Sequence, residues 1–316
     1  MLDQLVSSSA LQISRFPDFD HFRSIEQLAE AKSIPLAWKG FAASFAAVTL
    51  RSCAIYLQRT FPRILQARYL TTGAIVGFSM ADTVSVTVNG IEARPQTLML
   101  AKGDAVCEFV EPHANLLALL NFAAVEDRGW PGEANSAQMI ALRPAELAAL
   151  RAVTRDILLL ASHSPDLLTQ SRVVDQLEES LLEAVDHAVQ MSPIDAGRLD
   201  LRTYLVLVRK LDEFLHENAA RTFYSAEVAR QFGVSVRTLN NAVVAIRGMS
   251  MHRYTRLRRL WNVRQRLVQG ASIEAMKAIA LANGFWHMGE FRTLYRDLFG
   301  ETPQQTCLAV RGADGR

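Results

Sequence analysis

Two groups of side chains near the C-terminus have the types and spacing to read double-helical DNA. In the first, Arg237, Asn240 and Asn241 stand close together in sequence. An arginine fork can donate to O6 and N7 of guanine at once, and an asparagine amide can pair with N6 and N7 of adenine. Thr238 between them suits a phosphate oxygen, and Ser235 suits the cap of the helix that would carry them. The second group is Met288, Gly289 and Thr293. Met288 and the Thr293 methyl fit a thymine methyl, while Gly289 either admits close backbone approach or fills a packing site. His287, Arg292 and Arg296 suit phosphates, His287 also being placed to cap a helix. The competing reading of every one of these residues is a solvated helix face.

The elements that must position them are two helix-turn-helix patterns. Each has a small residue on a first helix, Ala229 or Ala280, and a glycine four residues later, Gly233 or Gly284. Steeply crossing helices need a small side chain where they touch, and the turn needs a positive φ that glycine takes without strain. At about 100° per residue, Leu239, Ala242, Val243 and Ile246 form one buried stripe. That stripe turns Arg237, Asn240 and Asn241 outward. Phe291, Leu294, Tyr295 and Leu298 form the second stripe, leaving Gly289, Thr293 and Arg296 outside and Met288 and Arg292 at its flanks. Between the patterns, Met251–Gln269 reads as a linker helix about 28 Å long, approaching the ~34 Å between successive major-groove faces. Tyr254, Leu257, Leu260, Trp261, Val263 and Leu267 are its packing face. Arg253, Arg256, Arg258, Arg264 and Arg266 are surface groups, for phosphates or for ion pairs, and Trp286 is core or hinge packing. The first unit carries more base-reading chemistry than the second.

These residues carry a resemblance. From about 205 to 306 the chain resembles the DNA-binding domain of the arabinose-regulator (AraC/XylS) family of bacterial transcription factors. The matched string comprises the first unit, Gly248 with Tyr254, the Arg259-Leu260 pair, Ile279-Ala280 with Gly284-Phe285, then Phe291, Tyr295, Gly300 and Thr302-Pro303. Residues 235–242 and 284–291 look most similar to the ethanolamine-utilisation regulator branch. Val243, Val263 and the Gln304-Gln305-Thr306 run depart from the family pattern. The resemblance implies an effector-responsive activator that binds promoter DNA with two recognition helices per subunit, in successive major grooves. It further implies a cupin-type barrel as effector module, a small-molecule effector, RNA polymerase as a partner, and a homodimer. The N-terminal half resembles the ethanolamine regulator only faintly, so neither that effector nor a cobalamin requirement is carried over.

The rest of the chain reads as α+β. Phe45–Leu50, Ala54–Gln58, Ala74–Phe78, Val84–Val88, Ile91–Ala93, Thr97–Leu100, Cys107–Val110 and Leu116–Phe122 are expected strands, implying a small barrel or sandwich. Asn89-Gly90 marks a hairpin, residues 101–104 a second turn, and residues 24–31 a short helix. Gly129-Trp130-Pro131-Gly132 marks the exit from the β region. Helices are then expected over Arg143–Ala161, Asp166–Val189 (ended by Met191-Ser192-Pro193) and Leu201–Ala219. The expected organisation is a β-rich regulatory domain over 1–135, a helical linker over 136–197, and an all-α tandem helix-turn-helix domain over 198–316. The linker helices either pair two subunits, as the family resemblance implies, or pack on the barrel.

Charge divides the chain in the same way. Residues 201–316 hold 18 Lys+Arg against 9 Asp+Glu, a net of +9, whereas the first 200 residues are net −7 within a whole-chain balance of +2. Only one end is thereby suited to nucleic acid. Cys53, Cys107 and Cys307 form no CxxC pair and read as buried free thiols. His113 beside Glu111, with His21 far upstream, is short of a metal-binding cupin set, and no nucleophile elbow, P-loop or dinucleotide fingerprint is present. No cofactor, metal or enzymatic activity is expected, and a cupin-type enzyme is the remote alternative. With no leader pattern and no membrane-length apolar run, the expected location is the cytoplasm. The nearer alternative for control is a partner protein acting through the N-terminal domain in place of a small molecule.

Overall fold

The computed structural model describes residues 1–19, 22, 28–38, 40–125, 128–190, 199–218, 223–270 and 272–313. The chain divides into two compact units: residues 1–33 with 41–197, and residues 34–40 with 198–316.

The first unit is built on two sheets among the described residues. The larger runs in the order Gln12–Phe16 (β1), Ala43–Thr49 (β3), Cys53–Arg59 (β4), Leu116–Phe122 (β11), Ala74–Ser79 (β6), Thr97–Lys102 (β9) and Ala137–Ala141 (β12), all pairs antiparallel. The smaller runs Ala29–Pro35 (β2), Arg63–Tyr69 (β5), Val106–Glu111 (β10), Thr87–Val88 (β7) and Ile91–Glu92 (β8). Period-two alternation decides which face meets which neighbour. On β6, β9 and β11, Ile75, Met99, Ala101 and Leu119 join Ala67, Tyr69, Cys107 and Phe109 of the smaller sheet in one core. The alternate residues Val76, Phe78, Leu98, Leu100, Ala118 and Leu120 face a second core, shared with helices Pro144–His163 (α1) and Ser171–Gln190 (α2). A sheet covered on both faces has apolar residues at every position, so its strands read as continuous runs.

Leu181, Leu182, Val185, Ala188 and Val189 of α2 are buried in that second core. These helices therefore pack on the sheet. Glu178 is buried, and its carboxylate accepts from the Ser52 hydroxyl and from Ser52 N at 3.2 Å. Arg128 and the Trp130 indole N–H both bond Asp186, at 2.6 and 2.5 Å, which ties the Gly-Trp-Pro-Gly loop to α2.

Several local expectations need correction. Residues 29–31 lie in β2, not in a helix, while residues 24–27, His21, the Met191-Ser192-Pro193 helix end and Ala219 lie outside the described residues. The expected strand Val84–Val88 pairs only over Thr87–Val88, because Ser85 N is taken by the Asn115 side chain at 2.9 Å. Its turn is as expected: Asn89 (φ 52) and Gly90 (φ 81) both adopt the left-handed conformation of a two-residue hairpin. Strands β1, β2, β5 and β12 carried no such alternation-plus-turn signal. Cys53, Cys107 and Cys307 are buried and unbridged.

In the second unit, Leu199–Glu217 (α3), Ser225–Gln231 (α4) and Val236–Arg247 (α5) precede the linker helix Met251–Val268 (α6). Ile273–Ala282 (α7), Met288–Phe299 (α8) and Pro303–Ala313 (α9) follow it. No helix among the described residues is long and apolar enough to cross a membrane.

Candidate nucleic-acid interface

The two helical turns repeat each other bond for bond. Gly233 (φ 68) and Gly284 (φ 81) take the left-handed conformation. Val234 N donates to Ala229 O and Phe285 N to Ala280 O, each at 3.0 Å, closing the same six-residue turn. Ala229 and Ala280 are buried at 2% and 0% exposure, so a larger side chain at either would push its two helices apart.

On α5, Leu239, Ala242, Val243 and Ile246 are buried as expected, and Arg237 and Asn241 are exposed. Ser235 caps the helix: its Oγ accepts from Thr238 N at 3.0 Å and lies 2.8 Å from Thr238 Oγ1, so Thr238 is drawn into the cap. Asn240 is half-buried, and its Oδ1 accepts from Met251 N at 3.0 Å, joining α5 to the first turn of α6. A bidentate bond from Asn240 to adenine would have to displace that amide. Val236 and Val244 are 44% and 46% exposed on the same outward side, and neither drew notice in the sequence. For Val244 the signal was available, since it falls off the buried stripe by the same periodicity that placed Arg237; Val236 lies at the stripe's edge, three residues before Leu239, and is the first residue of the helix.

On α8, Phe291 and Tyr295 are buried, while Gly289, Arg292, Thr293 and Arg296 are exposed and Met288 is half-buried. A Cβ added at Gly289 would meet open space, so this glycine leaves room for an approaching ligand and fills no packing site. Thr293 Oγ1 donates to Gly289 O at 3.2 Å, so its hydroxyl is engaged by the helix backbone. His287 is exposed and makes no side-chain cap. Trp286, expected in the core or hinge, is instead 66% exposed. A cleft of about 840 Å³, open solvent included, brings Trp286 and His287 together with His252, Arg256 and Arg259 of α6. Residues of α5 do not line it.

Both units are held from inside by a buried arginine. Arg247, 1% exposed, bonds Asp212 of α3 at 2.6 Å and stacks over the Tyr254 ring at 5.5 Å, and the Tyr254 hydroxyl donates to the same carboxylate. Arg264, expected on the surface, is 3% exposed and pairs with Glu301, which also accepts from Thr306 Oγ1 at 2.7 Å. Tyr295 OH lies 2.9 Å from that same Thr306 hydroxyl. Burial pushes the Tyr295 hydroxyl up to about 12, and burial followed by the Asp212 charge pushes Tyr254 well above the usual tyrosine range. Both phenols stay neutral at physiological pH and serve as hydrogen-bonding struts.

A second candidate site lies in the first unit. A cavity of about 750 Å³, open solvent at its mouth included, is lined by Phe16, Phe22, Phe45, Phe61, Tyr69 and Phe109 among other apolar residues. Phe19, Phe22, Phe41 and Phe61 form a ring cluster at its edge, with centroids 4.6 to 6.3 Å apart. Its charged groups are already paired: Arg63 with Glu111 at 2.8 Å, both buried, and Arg59 with Asp3 at 2.6 Å. Glu111, weighed above as a metal ligand beside His113, also accepts from Thr60 and Asn115.

A basic unit with two equivalent turns, each presenting an exposed helix, is a tandem helix-turn-helix domain. Known proteins share this part of the chain. Residues 228–307 match the helix-turn-helix domain family. Over 95 residues the chain is 34% identical to the XylDLEGF operon transcriptional activator of Pseudomonas putida, spanning 30% of each protein. It is 31% identical over 105 residues to a probable thc operon regulatory protein of Rhodococcus erythropolis, covering 33% of this chain and 32% of that one. Among solved structures, a probable AraC family transcriptional regulator from Rhodopseudomonas palustris is 32% identical, covering 33% of this chain and 97% of that one, with a TM-score of 0.30. The chain thus spans about a third of the length of the curated relatives it matches. On the matched residues the chain carries a helix-turn-helix domain, similar in sequence to those of these operon regulators.

Proposed function

We propose that this chain is a sequence-specific regulator of transcription that reads double-stranded promoter DNA with α5 and α8. The observation that carries the reading is the pair of equivalent turns, each exposing a helix with cationic or amide side chains. Arg237 and Asn241 are the principal base readers, with Val236 and Val244 against thymine methyls. Asn240 serves mainly to join α5 to α6. Met288, Gly289 and the Thr293 methyl meet bases from α8, while His287, Arg292, Arg296 and, secondarily, Thr238 meet phosphates. The 18-residue α6 spans about 27 Å, which supports the entry of one subunit into two successive major grooves. Activation through RNA polymerase, a homodimeric form and the ethanolamine-type branch rest on the sequence resemblance.

The aromatic cavity supports control by a small molecule over control by a partner protein. Its arginines are neutralised by Glu111 and Asp3, so a bound anion would have to break an existing pair. Among the described residues, the Ser44 hydroxyl and the Gln58 amide line the cavity with no side-chain partner. The effector that fits is uncharged, ring-bearing, and carries a hydroxyl, carbonyl or amide. Titration of the full chain onto DNA selected by it from a random library tests the reader. Affinity should fall steeply with salt and exceed that for scrambled DNA at every salt concentration. Equal affinity for selected and scrambled DNA would overturn the proposal.

A further inference from the structure

Residues 34–40 are flanked on both sides by chain of the β-rich unit, yet they pack in the compact unit of the reader. Nothing in connecting β2 to β3 requires this. We propose that this segment is a working part of the reader, in which Trp38 positions the second recognition helix. The inference rests on the DNA-reading function proposed above.

Trp38 N donates to Leu298 O at 3.1 Å. Leu298 is in the last turn of α8, where carbonyls have no partner within the helix, so this bond caps the helix from outside. The indole packs edge-on against Phe299, with centroids 5.6 Å apart, and lies 6.2 Å from the Trp261 ring of α6. The buried Arg264 guanidinium stacks 4.2 Å from the Trp38 ring centre and 5.1 Å from that of Phe299. Two residues earlier, Leu36 lines a groove together with Leu257 and Leu260 of α6 and Leu294 and Leu298 of α8. Trp38 is thus wedged where the tail of α8 meets the linker helix, beside the Arg264–Glu301 pair that anchors this half. The head of α8 bears Gly289, Arg292 and Thr293, so the seat of the tail sets the angle at which those groups are offered. The first helix-turn-helix has its own inner support in Asp212, Arg247 and Tyr254, all from helices of the C-terminal segment. The two halves of the reader therefore differ in their dependence on residues 34–40.

The test is a hydroxyl-radical footprint of the full chain, wild type and W38A, on DNA that the wild-type chain has selected from a random library. W38A should keep the protection assigned to α5 and lose that assigned to α8, with total affinity roughly ten- to a hundredfold weaker, as expected when one of two recognition helices disengages. W38F, which restores a ring against Arg264, should recover most of the lost protection. Arg237→Ala should give the mirror pattern. Unchanged protection across both halves in W38A, or an equal loss across both, would overturn the inference. If W38A fails to fold, W38L decides by the same footprint, since it keeps apolar volume but removes the ring. Absence of any footprint from the wild-type chain would instead count against the DNA-reading function itself.

Discussion

At the scale of single residues, exposure separates reading from positioning. Arg237 stands free of the Ser235 cap at the head of α5, whereas Arg292 lies farther along α8 with no base-reading neighbour but Met288 and Thr293. Arg237→Ala is expected to lose roughly 1–3 kcal/mol of discrimination at its cognate base pair. Arg292→Ala should weaken binding to all sequences alike and reduce the slope of log affinity against log salt by about one. Titrations on selected and scrambled DNA at several salt concentrations check both, and equal behaviour of the two variants would refute the division of labour. The outward stance of Arg237 and Asn241 was legible from helical period alone. The burial of Arg264 was not, because period assigns a charged residue to solvent unless its partner is known. Its partner Glu301 stands 37 positions away. Trp286 failed in the opposite sense: an indole is expected inside, and this one is exposed in a cleft with His287 and Arg256.

At the scale of elements, the buried polar struts hold the helices together. Asp212 bonds both Arg247 and Tyr254, so Asp212→Ala removes a carboxylate shared by two buried groups and is expected to destabilise the C-terminal unit by about 3–5 kcal/mol. Urea denaturation followed by helical circular dichroism would show it, and a loss below about 1 kcal/mol would mean that the pair is solvated. The tyrosines add a pH dependence of definite sign. Tyr295 is held at about 12 in the fold and returns to about 10 on unfolding, so the folded state binds its proton more tightly. Its contribution is complete below pH 10 and is lost as the pH rises from about 10 to 12. Tyr254 moves in the same direction, and Tyr295→Phe should blunt the fall. A stability profile flat through this window would contradict the neutral-strut role. The helices were legible because each has a one-sided apolar stripe, and the central strands because they combine β-branched residues with turns. Strand β2, which includes Ala29-Glu30-Ala31-Lys32, carries charges at the edge of the smaller sheet, and its neighbour β5 carries Gln66 and Arg68. Both were passed over, β2 because an edge strand keeps polar residues that blunt the apolar pattern, and β5 because Gln66 and Arg68 interrupt its own.

At the scale of the whole molecule, an acidic β-rich unit with an aromatic cavity and a basic helical reader share one chain. An effector can shift the balance between states only by binding one of them better. Benzyl alcohol and benzamide are expected to raise the first thermal transition of the full chain, and benzoate to raise it less. Saturation at a hundred times the dissociation constant corresponds to about 2.7 kcal/mol. Stabilisation by benzoate alone would show that Arg59 or Arg63 releases its carboxylate to the ligand. The charge asymmetry separates the two ends of the chain, but nothing in the sequence marks residues 34–40 as part of the helical unit. The contact between Trp38 and Trp261 spans most of the chain and has no periodic signature.

That contact also bears on the order in which the protein is made. Trp38 leaves the ribosome more than two hundred residues before Trp261 and Phe299 exist. At roughly 5–20 residues per second the interval is on the order of 10–45 s. During it the β-rich strands can pair, while the indole waits with its ring partners still untranslated. A chain released between Gly248 and His287 has all of α5 but neither α8 nor the Phe299 ring against which Trp38 packs. Completion of translation is therefore built into the helical unit: α8 and its seat for Trp38 form only once Phe299 has been added.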